Sequence, residues 1–426
     1  MSHTMNDPEK DEGALKDDLY SQANPPREGF TKADQKHMGL FDGGLAGLFW
    51  GFIWTFIAFS FVGLSLAEMA STAPTSGGQY HWVSEFAPPS IQKFLSYIVG
   101  WMSTGNAADC FITGTLTQAL LQVNDENYVP KRWHGTLFTW AMALVLYVVN
   151  LWGHDFWPRI QNLLMVIHML AFFAVITVLV FTGFSNDGGW NSMGMSLMVG
   201  QISAIYSILD ATHDPSGYPF LYVFKGAMGP AGVNNLTIIV LLIVSAANIN
   251  FGASTACQTF TFARDKGLPF SSWLTRVHTS KEIPANAILA TCLITVLLSL
   301  INIGSLVAFN AIISLQIVSL MFTYFCSLSC VLYRRLYYLE LLPVARWSLR
   351  RWGPLVNAVG LAYVMFAFFW CFWPNGTPVN AETFNWSVAM FVRVLVLALV
   401  MYAVEGRKVY VGPVKQCRMA RLEISS

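Results

Sequence analysis

Long apolar segments decide what this chain can become. They run at 45–67, 94–121, 136–153, 160–184, 233–258, 285–304, 306–333, 354–374 and 386–404. Each reaches or approaches the about 20 residues that cross a bilayer as a helix. A further stretch at 193–209 is shorter and weaker. Charged residues make up only 12% of the chain. That is half the supply of an ordinary soluble domain, about 25%. The expected fold is an all-α, polytopic membrane helix bundle with about nine full spans plus one short segment.

The same residues exclude other classes. Net charge is +1 with no basic run, so nucleic acid is not an expected partner. Cys110, Cys257, Cys292, Cys326, Cys330 and Cys371 lie in apolar stretches and read as small hydrophobes rather than a disulfide framework. Cys326 and Cys330 stand one helical turn apart, but no His or acid beside them completes a metal site. No nucleophile elbow, phosphate loop or zinc-protease motif occurs, so neither an enzyme nor a cofactor is expected.

Residues 1–40 hold eight acids and five bases and read as a disordered tail ahead of a transmembrane domain at 41–410. A basic tail follows at 411–426. Lys and Arg concentrate in three later places: Arg264, Lys266, Arg276 and Lys281; Arg334, Arg335, Arg346, Arg350 and Arg351; and Arg407, Lys408, Lys415, Arg418 and Arg421. The positive-inside tendency puts all three in the cytoplasm, with the C-terminus. Asn235, Asn375 and Asn385 begin N-x-S/T triplets at the opposite helix ends, where glycosylation is chemically permitted.

One ordered set of motifs is more specific. Residues 43–63 read GGLAGLFWGFIWTFIAFSFVG and 65–83 read SLAEMASTAPTSGGQYHWV. Residues 94–101 read FLSYIVGW and 262–270 read FARDKGLPF. Over about 41–410 the chain resembles the amino acid–polyamine–organocation superfamily, and within it the fungal amino acid/choline permeases. These include proteins like GABA permeases and choline permeases. The resemblance implies a LeuT-like inverted-repeat permease fold of twelve helices, five plus five and two more. It implies secondary transport of amino acids or related amines, with GABA and choline as candidates, coupled to protons, in the plasma membrane.

Set against that pattern, the chain matches incompletely. Its first four spans resemble family helices 2 to 5, and the last five resemble helices 8 to 12. The family's first helix is missing before Asp42, and most of helices 6 and 7 are missing around 207–220. Secondary transporters bind substrate at discontinuous helices near the bilayer midplane, and in this family those are helices 1 and 6. A truncated, non-transporting membrane protein is therefore the alternative reading.

Five residues are the substrate-binding candidates: Asn106 and Asp109 within their span, Asp210 in the region resembling helix 6, and Ser245 and Asn248 in the span resembling helix 8, which lines the pathway in the family. A loop acid created by the deletion is the alternative at Asp210. An acid such as Asp109 at membrane depth costs about 2.5–3.5 kcal/mol on insertion scales and therefore faces a cavity or a partner. Asn248 and Asn250 also need partners in a span, and interhelical hydrogen bonds are the equal alternative. Gln316 stands under the same two readings, whereas His168 reads as a satisfied core histidine. Glu68, Pro74, Gly77, Gly78 and Tyr80 form the signature that in the family helps close an inner gate. The alternatives are a solvated acid at Glu68, and a plain turn with Tyr80 and Trp82 as interfacial anchors.

Overall fold

The apolar segments do become helices. The computed structural model describes residues 38–413 except 105–109, 126–127, 130, 154–155, 187–220, 222–224, 226–228, 279–282, 343–344, 375–378 and 380–383. Among the described residues every regular element is a helix. The long ones are α1 (Met38–Thr72), α5 (Arg132–Trp152), α6 (Trp157–Asn186), α7 (Pro230–Arg264), α9 (Ala285–Gly304), α10 (Leu306–Tyr337), α11 (Gly353–Trp370) and α12 (Ser387–Met401). Between them lie α2 (Gln79–Phe86), α3 (Gln92–Ser103), α4 (Cys110–Asn124) and the short α8 (Ser271–Leu274). Seven described helices are long and apolar enough to cross a membrane.

One expected span is corrected. Segment 94–121 is two helices, α3 and α4, of 12 and 15 residues. Neither alone reaches the about 20 residues of a span. The short 193–209 stretch and most of both tails lie outside the described residues.

The helices pack in two groups. In one, α5 and α7 contact each other and both α4 and α9, with α6 against α7. In the other, α10 is the central strut, touching α1, α2, α3, α11 and α12. Contacts of α9 with α10 and of α3 with α7 join the groups. Cys110, Met142, Leu146, Ile249 and Ile288 form the core of the first group. In the second, Val62, Met69, Phe86, Tyr97, Phe262 and Leu328 pack near one end of the bundle.

The outer faces are apolar. Leu163, Met165, Leu170 and Phe173 on α6 are each 60–64% exposed. Water would penalise such a surface, whereas acyl chains suit it. His168 falls on this exposed face, so it is not the core histidine that the sequence suggested. Hydroxyls inside the spans satisfy themselves on their own helices, as Thr237 does on the Val233 carbonyl at 2.7 Å.

Small residues set the closest approaches. A Cβ on Gly114 of α4 would stand 2.9 Å from the Gly135 carbonyl oxygen of α5. At the aromatic end, the Phe262 ring lies 5.4, 5.7 and 5.8 Å from those of Tyr80, Tyr97 and Tyr410. It also fills the space beside Gly100, where a Cβ would come within 2.4 Å of it. The other rings leave Phe262 no room to retreat. Gly100→Ala is expected to cost about 1–3 kcal/mol by overpacking. A melting temperature in detergent equal to that of the unaltered chain would contradict this account of the cluster.

One of the three N-x-S/T triplets is corrected. Asn235 is exposed near the start of α7, at the end opposite Arg264, although the hydroxyl-bearing Thr237 is buried. Asn385 is buried and donates to the carbonyls of Cys371 and Trp373 at 2.8 and 2.9 Å. Its amide is therefore a staple between α11 and α12 rather than an acceptor for sugar. Asn375 lies outside the described residues.

Candidate functional site

Two sets of buried polar side chains stand out against this apolar frame. The first lies among the spans of the α4–α5–α7–α9 group. Asn248 of α7 is 5% exposed, and its amide donates to the Thr113 hydroxyl of α4. One turn away on α4's own ladder, Thr117 satisfies itself on the Thr113 carbonyl at 2.8 Å. Two residues on from Asn248, the Asn250 side-chain oxygen accepts from the Trp157 indole of α6 at 2.7 Å. Ser245 is half-buried and bonds back to the Leu241 carbonyl at 2.7 Å. Gln316 of α10 is buried in the other group. Asn106, Asp109 and Asp210 lie outside the described residues.

A second set closes one end of the bundle. Glu68, in the last turn of α1, is 4% exposed. Its Oε2 meets the Arg335 guanidinium of α10 at 2.5 Å. Its Oε1 accepts from the Ser348 hydroxyl at 2.8 Å and the Leu349 N–H at 2.9 Å. Glu68 is thus no solvated interfacial acid: one carboxylate gathers α1, α10 and the segment before α11. Gly353 makes room for this, since a Cβ there would sit 1.2 Å from an Arg335 nitrogen.

The turn after α1 is built for a second contact. Pro74 is exposed, and the chain then reverses through Gly77 and Gly78. Gly78 has φ 56°, a left-handed conformation that L side chains resist. Gly77 is hemmed in by Tyr80, 2.9 Å from where its Cβ would be. This turn starts α2 and buries Tyr80 completely. Trp82 is also buried, its indole donating to the Ala73 carbonyl at 3.0 Å. Neither ring is an interfacial anchor.

The Tyr80 hydroxyl donates to Asp265 Oδ2 at 3.1 Å. Asp265 follows the last residue of α7 and is 0% exposed. Burial pushes its carboxyl up to about 6, although Arg264 and Tyr80 both pull the other way. Burial, then the Asp265 charge, pushes the Tyr80 phenol well above its ordinary range. His81 beside it is lowered to about 4 by burial and by Arg264. The Val411 N–H donates to the Asp265 carbonyl at 3.3 Å, and Tyr410 pairs with the Ser96 hydroxyl at 3.1 Å. The segment after α12 is thereby tied to the same end.

Sequence reasoning brought out Glu68, the glycine pair and Tyr80, but not their partners. Asp265 sits in the FARDKGLPF motif between two cations, and Arg335 reads as one of several loop charges. That motif is the one signal in the sequence that points to Asp265. All three basic segments do converge here, as the Arg335, Asp265 and Tyr410 contacts require.

Comparison with known proteins finds similarity along most of the chain. The sequence model of the amino acid permease family matches residues 30–212 and again 193–396. A Macrophomina phaseolina protein, described as a candidate amino acid/polyamine transporter, is 26% identical over 421 aligned positions, covering 83% of this chain and 92% of its own. The choline transporter of Saccharomyces cerevisiae is 25% identical over 444, covering 87% of this chain and 77% of its own. Amino-acid permease 2 of Neurospora crassa is 23% identical over 447, covering 88% and 81%.

Proposed function

We propose, from the premise that this chain belongs to the amino acid permease family, that it carries amino acids or related amines such as GABA or choline across a membrane, driven by protons. It is an integral, multi-pass membrane protein and a transporter rather than an enzyme. The observation that carries the reading is the family match, which covers both halves of the chain. The choline transporter among its relatives supports a quaternary amine as one substrate class.

The substrate-binding reading centres on Asn248 and Thr113, a buried polar pair in an apolar wall. Asp109 stands four positions before Thr113 in the sequence, and Asn106 seven before it. An acid there supplies the charge that an ammonium group needs, and Ser245 and Asp210 complete the candidate set. In this reading the substrate's polar groups replace contacts that Asn248 now makes within the protein. The gate is the Glu68 and Tyr80 end, with Pro74, Gly77 and Gly78 shaping its turn. That end faces the cytoplasm, the domain spans 41–410 between two tails, and the membrane is the plasma membrane.

The test is uptake by this chain in permease-deficient cells, with its presence at the membrane verified. Labelled GABA, choline and single amino acids are supplied with and without a protonophore. At least one should accumulate above background, and the protonophore should abolish accumulation. Asn248→Ala should cut that uptake by about 5–150-fold, the cost of orphaning a buried partner. A second reading, a non-transporting membrane protein, draws on the two family matches overlapping at 193–212. Absence of uptake for every solute, with the protein verified in place, would establish it instead.

A further inference from the structure

The segment ahead of α11 differs from the other connections. Residues 346–352 read Arg-Trp-Ser-Leu-Arg-Arg-Trp, and 341–352 contain no acid. Arg346, Arg350 and Arg351 are exposed, as are Trp347 (45%) and Trp352 (56%). The Arg351 guanidinium lies 5.5 Å over the Trp352 ring. An apolar span begins at Arg350, so these side chains stand where the chain enters the bilayer.

The inner edge of this segment is pinned. The Trp347 N–H donates to the Ser71 hydroxyl at 2.7 Å, beside the two contacts from Ser348 and Leu349 to Glu68. Arg350 has φ 48°, a left-handed backbone that a non-glycine residue resists. Its N–H is held by the Ser348 hydroxyl at 3.2 Å. A strained and anchored backbone thus presents three guanidinium groups and two indoles outward. Indoles favour the headgroup level. Guanidinium groups bind phosphate oxygens in bidentate fashion.

We propose that residues 346–352 are a docking surface for the anionic phospholipid headgroups of the leaflet at this end, and that headgroup binding supports the Glu68 contacts. Charge complementarity selects the occupant: three arginines, no acid, and a position at the membrane boundary. The inference requires only that the chain resides in a bilayer, so it stands whether or not the chain transports.

The test uses the full chain in nanodiscs of phosphatidylcholine, with or without a minor share of phosphatidylserine. Phosphatidylserine should raise the melting temperature, less so at high salt. Brominated phosphatidylserine should quench Trp347 and Trp352 more than brominated phosphatidylcholine does, and Trp347→Phe/Trp352→Phe should remove that difference while the quenching of the other exposed indoles stays. The triple change Arg346→Gln/Arg350→Gln/Arg351→Gln should lower apparent headgroup affinity by about 100-fold, from about one kcal/mol per basic residue. If the triple variant melts low in phosphatidylcholine alone, Arg346→Gln/Arg351→Gln replaces it, leaving the strained residue intact. Equal responses of the altered and unaltered chains to phosphatidylserine would overturn the proposal. So would an equal stabilisation by inorganic phosphate or soluble glycerophosphoserine, which would assign the surface to free anions.

Discussion

Glu68→Gln is expected to destabilise the chain by about 3–5 kcal/mol, the cost of leaving one partner of a buried ion pair without the other. The Arg335 side chain is 8% exposed, and its Nε already lacks a hydrogen-bond partner. With the carboxylate gone, a guanidinium remains in a site that water does not reach. The amide can still accept from Ser348 and Leu349, so the lost quantity is charge rather than shape. Gly353→Ala attacks the same pair from the other side, because its Cβ would occupy the position of an Arg335 nitrogen. The guanidinium would have to leave Glu68 to make room. Both single variants should therefore melt lower in detergent. The double change Glu68→Leu/Arg335→Met should recover most of the loss, since a buried pair replaced by apolar side chains is often neutral. A single-variant loss below about 1 kcal/mol would mark this as a solvated surface pair. It would also remove the support for Glu68 as part of a gate.

Legibility in the sequence depends on the kind of residue. The spans were legible because hydrocarbon demands apolar length, and seven of them stand where apolar windows lie. Segment 94–121 was not, because apolar content alone does not show that it is two helices. Asn248 was legible as a residue needing a partner. The partner was not, because threonine in a helix ordinarily satisfies itself on its own backbone, as Thr117 does. His168 misled for a related reason: a midpoint in an apolar run does not say which face is covered. At the Glu68 and Tyr80 end the sequence supplied one half of each contact. Glu68 and Tyr80 fall in a recognisable signature, but Arg335 and Asp265 look like charges in basic loops. Only the fold shows that both are drawn inward.

Acidification should leave two opposing traces on stability, one from Asp265 and one from His81. The Asp265 carboxyl is raised to about 6 in the fold, so the folded state holds its proton more firmly than the unfolded chain does. Its contribution is fully present below the ordinary carboxylate value of about 4 and is lost as pH rises through about 6. The His81 imidazole is lowered to about 4, so the unfolded chain binds its proton more firmly. That contribution is present above about 6.5 and is lost as pH falls towards 4. Each spans about two pH units, on the order of 3 kcal/mol at 1.36 kcal/mol per unit. Between about pH 4 and 6 the two nearly cancel. Asp265→Asn should expose the histidine, giving a melting temperature that climbs with pH across that range. His81→Gln should expose the aspartate, giving one that declines. Parallel pH profiles for Asp265→Asn and the unaltered chain would sink the account. The groups facing Asp265 explain why its charge is costly. Arg264 stands 3.5 Å from Oδ1 with 54% of its side chain exposed, and Tyr80 donates to the other oxygen. Solvent weakens the first of these, and the second is a neutral donor. At neutral pH the Asp265 charge is therefore buried with little compensation. Below about pH 6 the neutral carboxyl needs none.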